Sequence, residues 1–366
     1  MTSGPVGSRL LRTTFSLLMI ALSACARTAT PEPMMKNHPL LVESRPWCIG
    51  RLLIDRPVAS ELHSEKYGYT GDAIEVTENV SYRTFLNDVN VRERELRTMK
   101  RTSSISFKEM QAKGLKSMIV DTGTPWLELA VSPSNHSRLM LFKELTNRPD
   151  SAFDGEGYVL AGSNLLSMKF LVGSNAVQKV TRDESDWYRN VTYRDDWSVP
   201  TERGFCIKGA LIGGPSRNSE LVEQSINLAP GKYALFLVKM RESVDVDPQS
   251  SLLKTLPALR EKLRSQGHSD SVQVLREGKR KVAGMDAEEV LFSVRDGNLQ
   301  LYRFYLIASG DPRTTAQPHT EIQLLLGQPP RDGLSQDQAT SPVDEVGAIQ
   351  VWDALLDSLR LRPGAM

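Results

Sequence analysis

Few residues in this chain have chemistry to offer. In MIVDTGTPWLEL (118–129), Asp121, Thr122 and Gly123 follow two apolar residues. An aspartate so placed can share one proton with a second aspartate, because two like charges that close cannot both ionise. The second half of the chain has no D-[TS]-G, and its Asp296-Gly297 reads as a hairpin turn. Asp-Thr-Gly is also ordinary turn chemistry between strands, so Asp121 is read as structural. No G-x-S-x-G elbow occurs, and GPSRN (214–218) lacks the closing glycine. The five histidines (His38, His63, His136, His268, His319) are solitary, with neither H-E-x-x-H nor C-x-x-C around them. GGPSRN also lacks the lysine of a phosphate-binding loop. These residues give no catalytic group, no metal and no cofactor.

The three cysteines say more. Arg9 and Arg12 precede the apolar run FSLLMIALSA (15–24), too short to span a bilayer but suited to the core of an export signal. The run ends in Leu22-Ser23-Ala24-Cys25, which resembles the lipobox of bacterial lipoproteins, where cleavage leaves the cysteine first and its thiol carries a diacylglycerol. The plainer alternative is a signal peptide followed by a chance cysteine. Ala26, where an aspartate would resemble an inner-membrane retention signal, favours the outer membrane facing the periplasm. Residues 1–24 are thus expected to be a lipoprotein signal peptide and 25–43, with Pro31 and Pro33, a tether. Cys48 and Cys206 remain, either bridged, as an oxidising compartment permits, or buried as two small apolar thiols.

Those two cysteines open the same phrase twice. WCIGRLLIDRP (47–57) and FCIKGALIGGP (205–215) share Cys, Ile, Leu, Ile and Pro in register. Such internal similarity suggests duplicated modules. A second echo pairs VLAG (159–162) with KVAG (281–284), each followed eight positions later by phenylalanine. The cysteine-to-glycine spans are 114 and 78 residues, which predicts about 36 additional residues in the first module as loop insertions. Apolar stripes mark an amphipathic helix over 85–101 and a final helix beginning at Ser341-Pro342 with Asp344, while Pro257 marks the first turn of another. Between them lie β-branched and alternating segments typical of antiparallel strands. The polar stretch 183–203 is read as the junction, giving domains 44–200 and 201–366 and an α+β class twice over. Forty-five basic residues against 44 acidic leave no electrostatic footprint for nucleic acid.

The phrase C-I-G-R-x-L-I-D-x-P, the second F-C-I, the A-G followed by Glu288-Glu289, and the ending VWDALLDSLRLRPGA (351–365) together resemble the type VI lipase effector cognate immunity proteins, family four. The resemblance spans about 44–366. It implies two domains of related fold, each an antiparallel sheet packed with helices, arranged as a two-lobed claw. It further implies a periplasmic antitoxin that binds a phospholipase toxin delivered by type VI secretion and obstructs its active site. Two features depart from the pattern: the DTG loop, and Lys208 in place of the glycine at Gly50. No partner-contacting residue carries over. The alternatives from the residues alone are an envelope hydrolase with an unrecognised site and an envelope scaffold lipoprotein.

Overall fold

The computed structural model describes residues 38–146, 152–242, 251–329 and 333–366. Cys25 lies outside them. The first half opens with β1 (Ser44–Ile49), β2 (Leu52–Pro57), β3 (Glu61–Tyr69) and β4 (Asp72–Thr77), followed by helix α1 (Tyr82–Thr98). The Ser81 side chain caps α1 by accepting the Thr84 amide at 3.0 Å, and Phe85, Val89 and Leu96 form its buried stripe. Met99, inside the span 85–101 expected to be helical, is the exposed residue that ends the helix. Then come β5 (Lys100–Ser104), α2 (Phe107–Ala112), β6 (Ile119–Pro125), β7 (Leu127–Val131), β8 (Ser137–Phe142), β9 (Ala152–Ala161) and β10 (Asn164–Gly173). Helix α3 (Val177–Tyr188) and β11 (Val191–Tyr193) close this half; the stretch read as a junction thus supplies Trp187 and Tyr188 to the core.

The second half repeats the order without the β5–β6 excursion. It runs β12 (Gly204–Ile207), β13 (Ala210–Gly213), β14 (Leu221–Asn227), β15 (Ala234–Arg241), α4 (Leu252–Ser265), β16 (Val272–Val282), β17 (Met285–Asp296), β18 (Leu299–Ala308) and β19 (His319–Leu326). It ends in α5 (Gln336–Ala339), α6 (Glu345–Ser358) and β20 (Arg360–Leu361). Helix α4 starts earlier than Pro257 suggested. Ser251 caps it by accepting the Lys254 amide, and Glu288 on β17 accepts from both the Ser251 hydroxyl and the Leu253 amide. Pro257 therefore sits inside the helix. In α6, Asp344 is the N-cap, and Trp352, Leu355, Leu356 and Leu359 are buried while Val346 is exposed.

Twelve of the strands form one antiparallel sheet in the order β16-β17-β18-β19-β15-β14-β3-β4-β10-β9-β8-β7. If β14 is matched to β3, β15 to β4, β19 to β10 and so outward, the order reads the same from either end. The halves meet where β14 pairs with β3, from Leu221 opposite Gly68 to Asn227 opposite Glu61. Each half thereby covers the other's bare strand edge.

The closing strands are exchanged. β11 of the first half pairs with β13, and β20 of the second half pairs with β2. This arrangement corrects one sequence reading. VLAG ends β9 and KVAG ends β16, yet the counterpart of β9 in the palindrome is β18. The echo reflects a shared demand for positive φ in two tight hairpins, at Gly162 and at Ala283-Gly284. The length difference after the first helix is also smaller than 36: residues 99–126 separate α1 from β7, against 266–271 between α4 and β16.

The packed body begins ahead of the expected tether boundary, because Leu40 and Leu41 are buried in the main core. Among the described residues, no helix is long and apolar enough to cross a membrane.

Candidate partner-binding surface

The residues that carried the resemblance are architectural. Cys48 and Cys206 form a disulfide, with Cα atoms 6.0 Å apart, in the equivalent strands β1 and β12. Beside it the Gly50 and Cys206 amides and carbonyls exchange hydrogen bonds at 3.2 and 2.8 Å. Gly50 has φ +58°, and a Cβ there would lie 3.0 Å from the Phe205 ring. Arg51 crosses to the second half, with Nη2 2.6 Å from Glu220 Oε1 and Nε 2.8 Å from Oε2. Lys208, the departure in the second copy, crosses the other way to Glu65 at 3.1 Å and Glu78 at 2.9 Å.

The C-terminal motif is built in as firmly. Trp352 Nε1 donates to the buried Glu289 at 2.9 Å, and Asp353 accepts from Arg276 and Arg280. Arg362, 1% exposed, donates through Nη1 to the Pro200 and Glu202 carbonyls at 2.7 Å and through Nη2 to the Gly204 carbonyl at 2.6 Å. Burial lowers its pKa from the ordinary value.

Another buried group lies near the seam. Glu184 on α3 accepts from Trp187 Nε1 at 2.9 Å, and burial, reinforced by the nearby Asp72 charge, pushes its carboxyl up to about 7. Asp72 itself is raised by burial to about 6. Sequence reasoning missed both, since nothing in the primary pattern marks a buried carboxylate.

The expected chemical residues assemble into no site. Asp121 lies within β6 rather than in a turn between strands. Its Oδ1 accepts the Gly123 amide at 2.7 Å, and Gly123 has φ +76° opposite a register shift in β5. It is exposed and, among the described residues, has no partner carboxylate in hydrogen-bond contact. His38 Nδ1 accepts the Leu40 amide, His319 pairs with Glu321, and His136 lies against Tyr82. Among the described residues, no group of histidine, cysteine or carboxylate side chains could hold a metal ion.

What the first half adds is an arm, residues 99–126. Its two strands, β5 and β6, form a sheet separate from the main one, and none of the six residues of α2 is buried. The base is fixed: Arg101 donates to the Pro125 carbonyl and Glu128, Trp126 Nε1 to the Lys100 carbonyl, and Thr102 bonds through its backbone to Glu144 and Thr146. Its outer part bears Phe107, Met118 and Ile119, which are 58, 48 and 61% exposed, together with Leu115. With Lys108, Lys113 and Lys116 beside Glu109, the arm carries five basic residues against two acidic. An apolar, net-basic projection suits burial against an apolar, acidic protein surface.

Residues 45–196 match the family model for the Tle cognate immunity protein 4 N-terminal domain, and residues 198–364 match that for the C-terminal domain. No curated protein matches the sequence. Among solved structures, the chain is similar to the apo immunity protein TplEi of the type VI secretion system from Pseudomonas aeruginosa. The two are 22% identical with a TM-score of 0.69, over 88% of this chain and 98% of that one. The Tle4–Tli4 complex is similar at 22% identity and a TM-score of 0.71, with the same coverage of 88% and 98%. TplEi complexed with "L" peptide matches at 21% identity and a TM-score of 0.67, over 87% and 98%.

Proposed function

Because the chain belongs to the Tle cognate immunity protein 4 family, whose role is to bind and neutralise a Tle lipase effector, we propose that it is a periplasmic lipoprotein. On this proposal it is anchored through Cys25 to the outer membrane and protects its own cell by stoichiometric blockade of that lipase. The single observation that carries the antitoxin function is that both family domains follow one another across nearly the whole described body. The chain is a binding protein and not an enzyme, as its family is. Inhibition then needs only bulk: a substrate entrance is closed by covering it, or a lid is held in one state.

The short apolar run before Cys25 supports processing and acylation, and Ala26 supports the outer membrane. Two experiments test these points separately. Copurification with the cognate Tle lipase effector, followed by titration of lipase activity, should show full inhibition at one equivalent. Failure to bind would end the antitoxin assignment. Labelling with a palmitate analogue should mark the wild type but not Cys25→Ala; label retained by the variant would remove the lipoprotein.

A further inference from the structure

Internal symmetry lets the strands at the seam be compared with their equivalents in the other half. On one side the space around the returning strand β11 is filled. Trp197 packs edge-on to Trp47 with ring centroids 4.9 Å apart, the Arg56 guanidinium lies 4.3 Å from the Trp47 ring centroid, and Trp47 Nε1 donates to Gln224 at 3.0 Å. The repeat makes Phe205 and Gly214 the counterparts of Trp47 and Arg56. The registers of β11 on β13 and β20 on β2 make Ala365 the counterpart of Trp197. All three large side chains are thus replaced by smaller ones. Gly214 and Ala365 offer carbonyls, which Arg51 Nη1 caps at 3.4 and 2.5 Å.

A cavity of about 300 Å³ opens on this second side. Leu52 of the first half and Phe205, Val222, Met240 and Leu361 of the second contribute apolar lining, and the 311–318 loop forms another wall. That loop has no counterpart in the first half, where β9 turns into β10 in two residues. The opposite side, where Trp47 and Trp197 pack together, shows that the fold does not require such an opening.

We propose that this cavity receives an apolar side chain from a peptide segment of the cognate effector. The proposal rests on the antitoxin assignment above. The volume lies at the lower end of ligand pockets, roughly 300–1,000 Å³, and suits one or two side chains rather than a folded face. Its charged lining is mixed, with Arg217 and Arg313 beside Glu242 and Asp311. Mixed charge with threonine hydroxyls suits a peptide backbone better than an acyl chain, which has no groups to pair with them. Because both halves build the pocket, only the joined chain can hold such a segment.

The test fills the pocket. In the full chain, Ala316→Trp should weaken binding of the purified cognate lipase at least tenfold while the thermal midpoint stays within a degree or two of wild type. Ala316→Leu, a smaller filler, gives the same comparison if the tryptophan impairs folding. A photoreactive benzoylphenylalanine at position 316 should crosslink to one segment of the lipase. Affinity within twofold of wild type in a folded variant, or crosslinks to lipid alone, would overturn the proposal while leaving the antitoxin assignment intact. Failure of the wild-type chain itself to bind would overturn both.

Discussion

Arg194 and Arg362 make the same bond from equivalent places. The Arg194 amide donates to the Gly209 carbonyl at 3.1 Å and the Arg362 amide to the Arg51 carbonyl at 2.9 Å, Gly209 and Arg51 being matched positions of the two repeats. Both guanidiniums are buried and spend themselves on backbone carbonyls, those of Asp195, Asp196, Ser198 and Ile207 for Arg194. Each arginine fastens a returning strand to the other half.

Arg362→Ala should therefore lower stability by about 3 kcal/mol, since buried carbonyls left without donors cost about 1–3 kcal/mol each. Arg362→Lys should recover only part, because one ammonium cannot reproduce a planar fork. Urea unfolding checks both; an unchanged midpoint in the alanine variant would show that the carbonyls find other donors.

The Cys48–Cys206 bridge closes a loop of 158 residues in sequence separation. Replacing both cysteines with alanine should cost about 2–5 kcal/mol through the greater freedom of the unfolded chain. In the denatured wild type, these two thiols should react with maleimide only after reduction. Their reaction without reductant would show that the bridge does not form.

The buried Glu184 makes stability depend on pH with a definite sign. Its folded pKa of about 7 exceeds the ordinary 4.5, so the folded state holds the proton more tightly. Its contribution is fully present below the ordinary value, declines as pH rises through the folded one, and is flat above that. Asp72, at about 6, adds a slope of the same sign. Glu184→Gln, which keeps an acceptor for Trp187, should narrow the stability difference between pH 5 and pH 8. An equal difference in both proteins would mean that Glu184 stays ionised in its pocket.

On the arm, Phe107→Asp combined with Ile119→Asp should reduce lipase binding tenfold or more with little change in melting temperature, because neither side chain is buried. Calorimetric titration beside a thermal scan separates the two effects. Unaltered affinity would place the partner elsewhere on the surface.

Much of the framework was legible in the primary pattern, for physical reasons. The stripes of α1 and α6 follow helical periodicity, and the doubled cysteine phrase places two equivalent first strands. What alternation cannot say is which strand lies beside which. The β14–β3 seam and the exchanged β11 and β20 were therefore invisible, and a turn requirement shared by VLAG and KVAG passed for ancestry. The candidate surfaces were harder still. The cavity lies beside Phe205, on the side where Trp47, Arg56 and Trp197 have smaller counterparts, a comparison that needs the three-dimensional match first. The arm announced itself only as surplus length.

The exchanged strands also set a timetable. β2, complete by residue 57, waits for Arg360 and Leu361 before its sheet is whole, so some of the first structure to be synthesised is among the last to be finished. Pairings this distant give a high contact order, and chains of that kind fold slowly, with unpaired edges open to wrong partners meanwhile. A chain released before Arg360 and Leu361 would leave β2 without that partner strand. Protection should therefore lag behind synthesis until β20 has closed against β2.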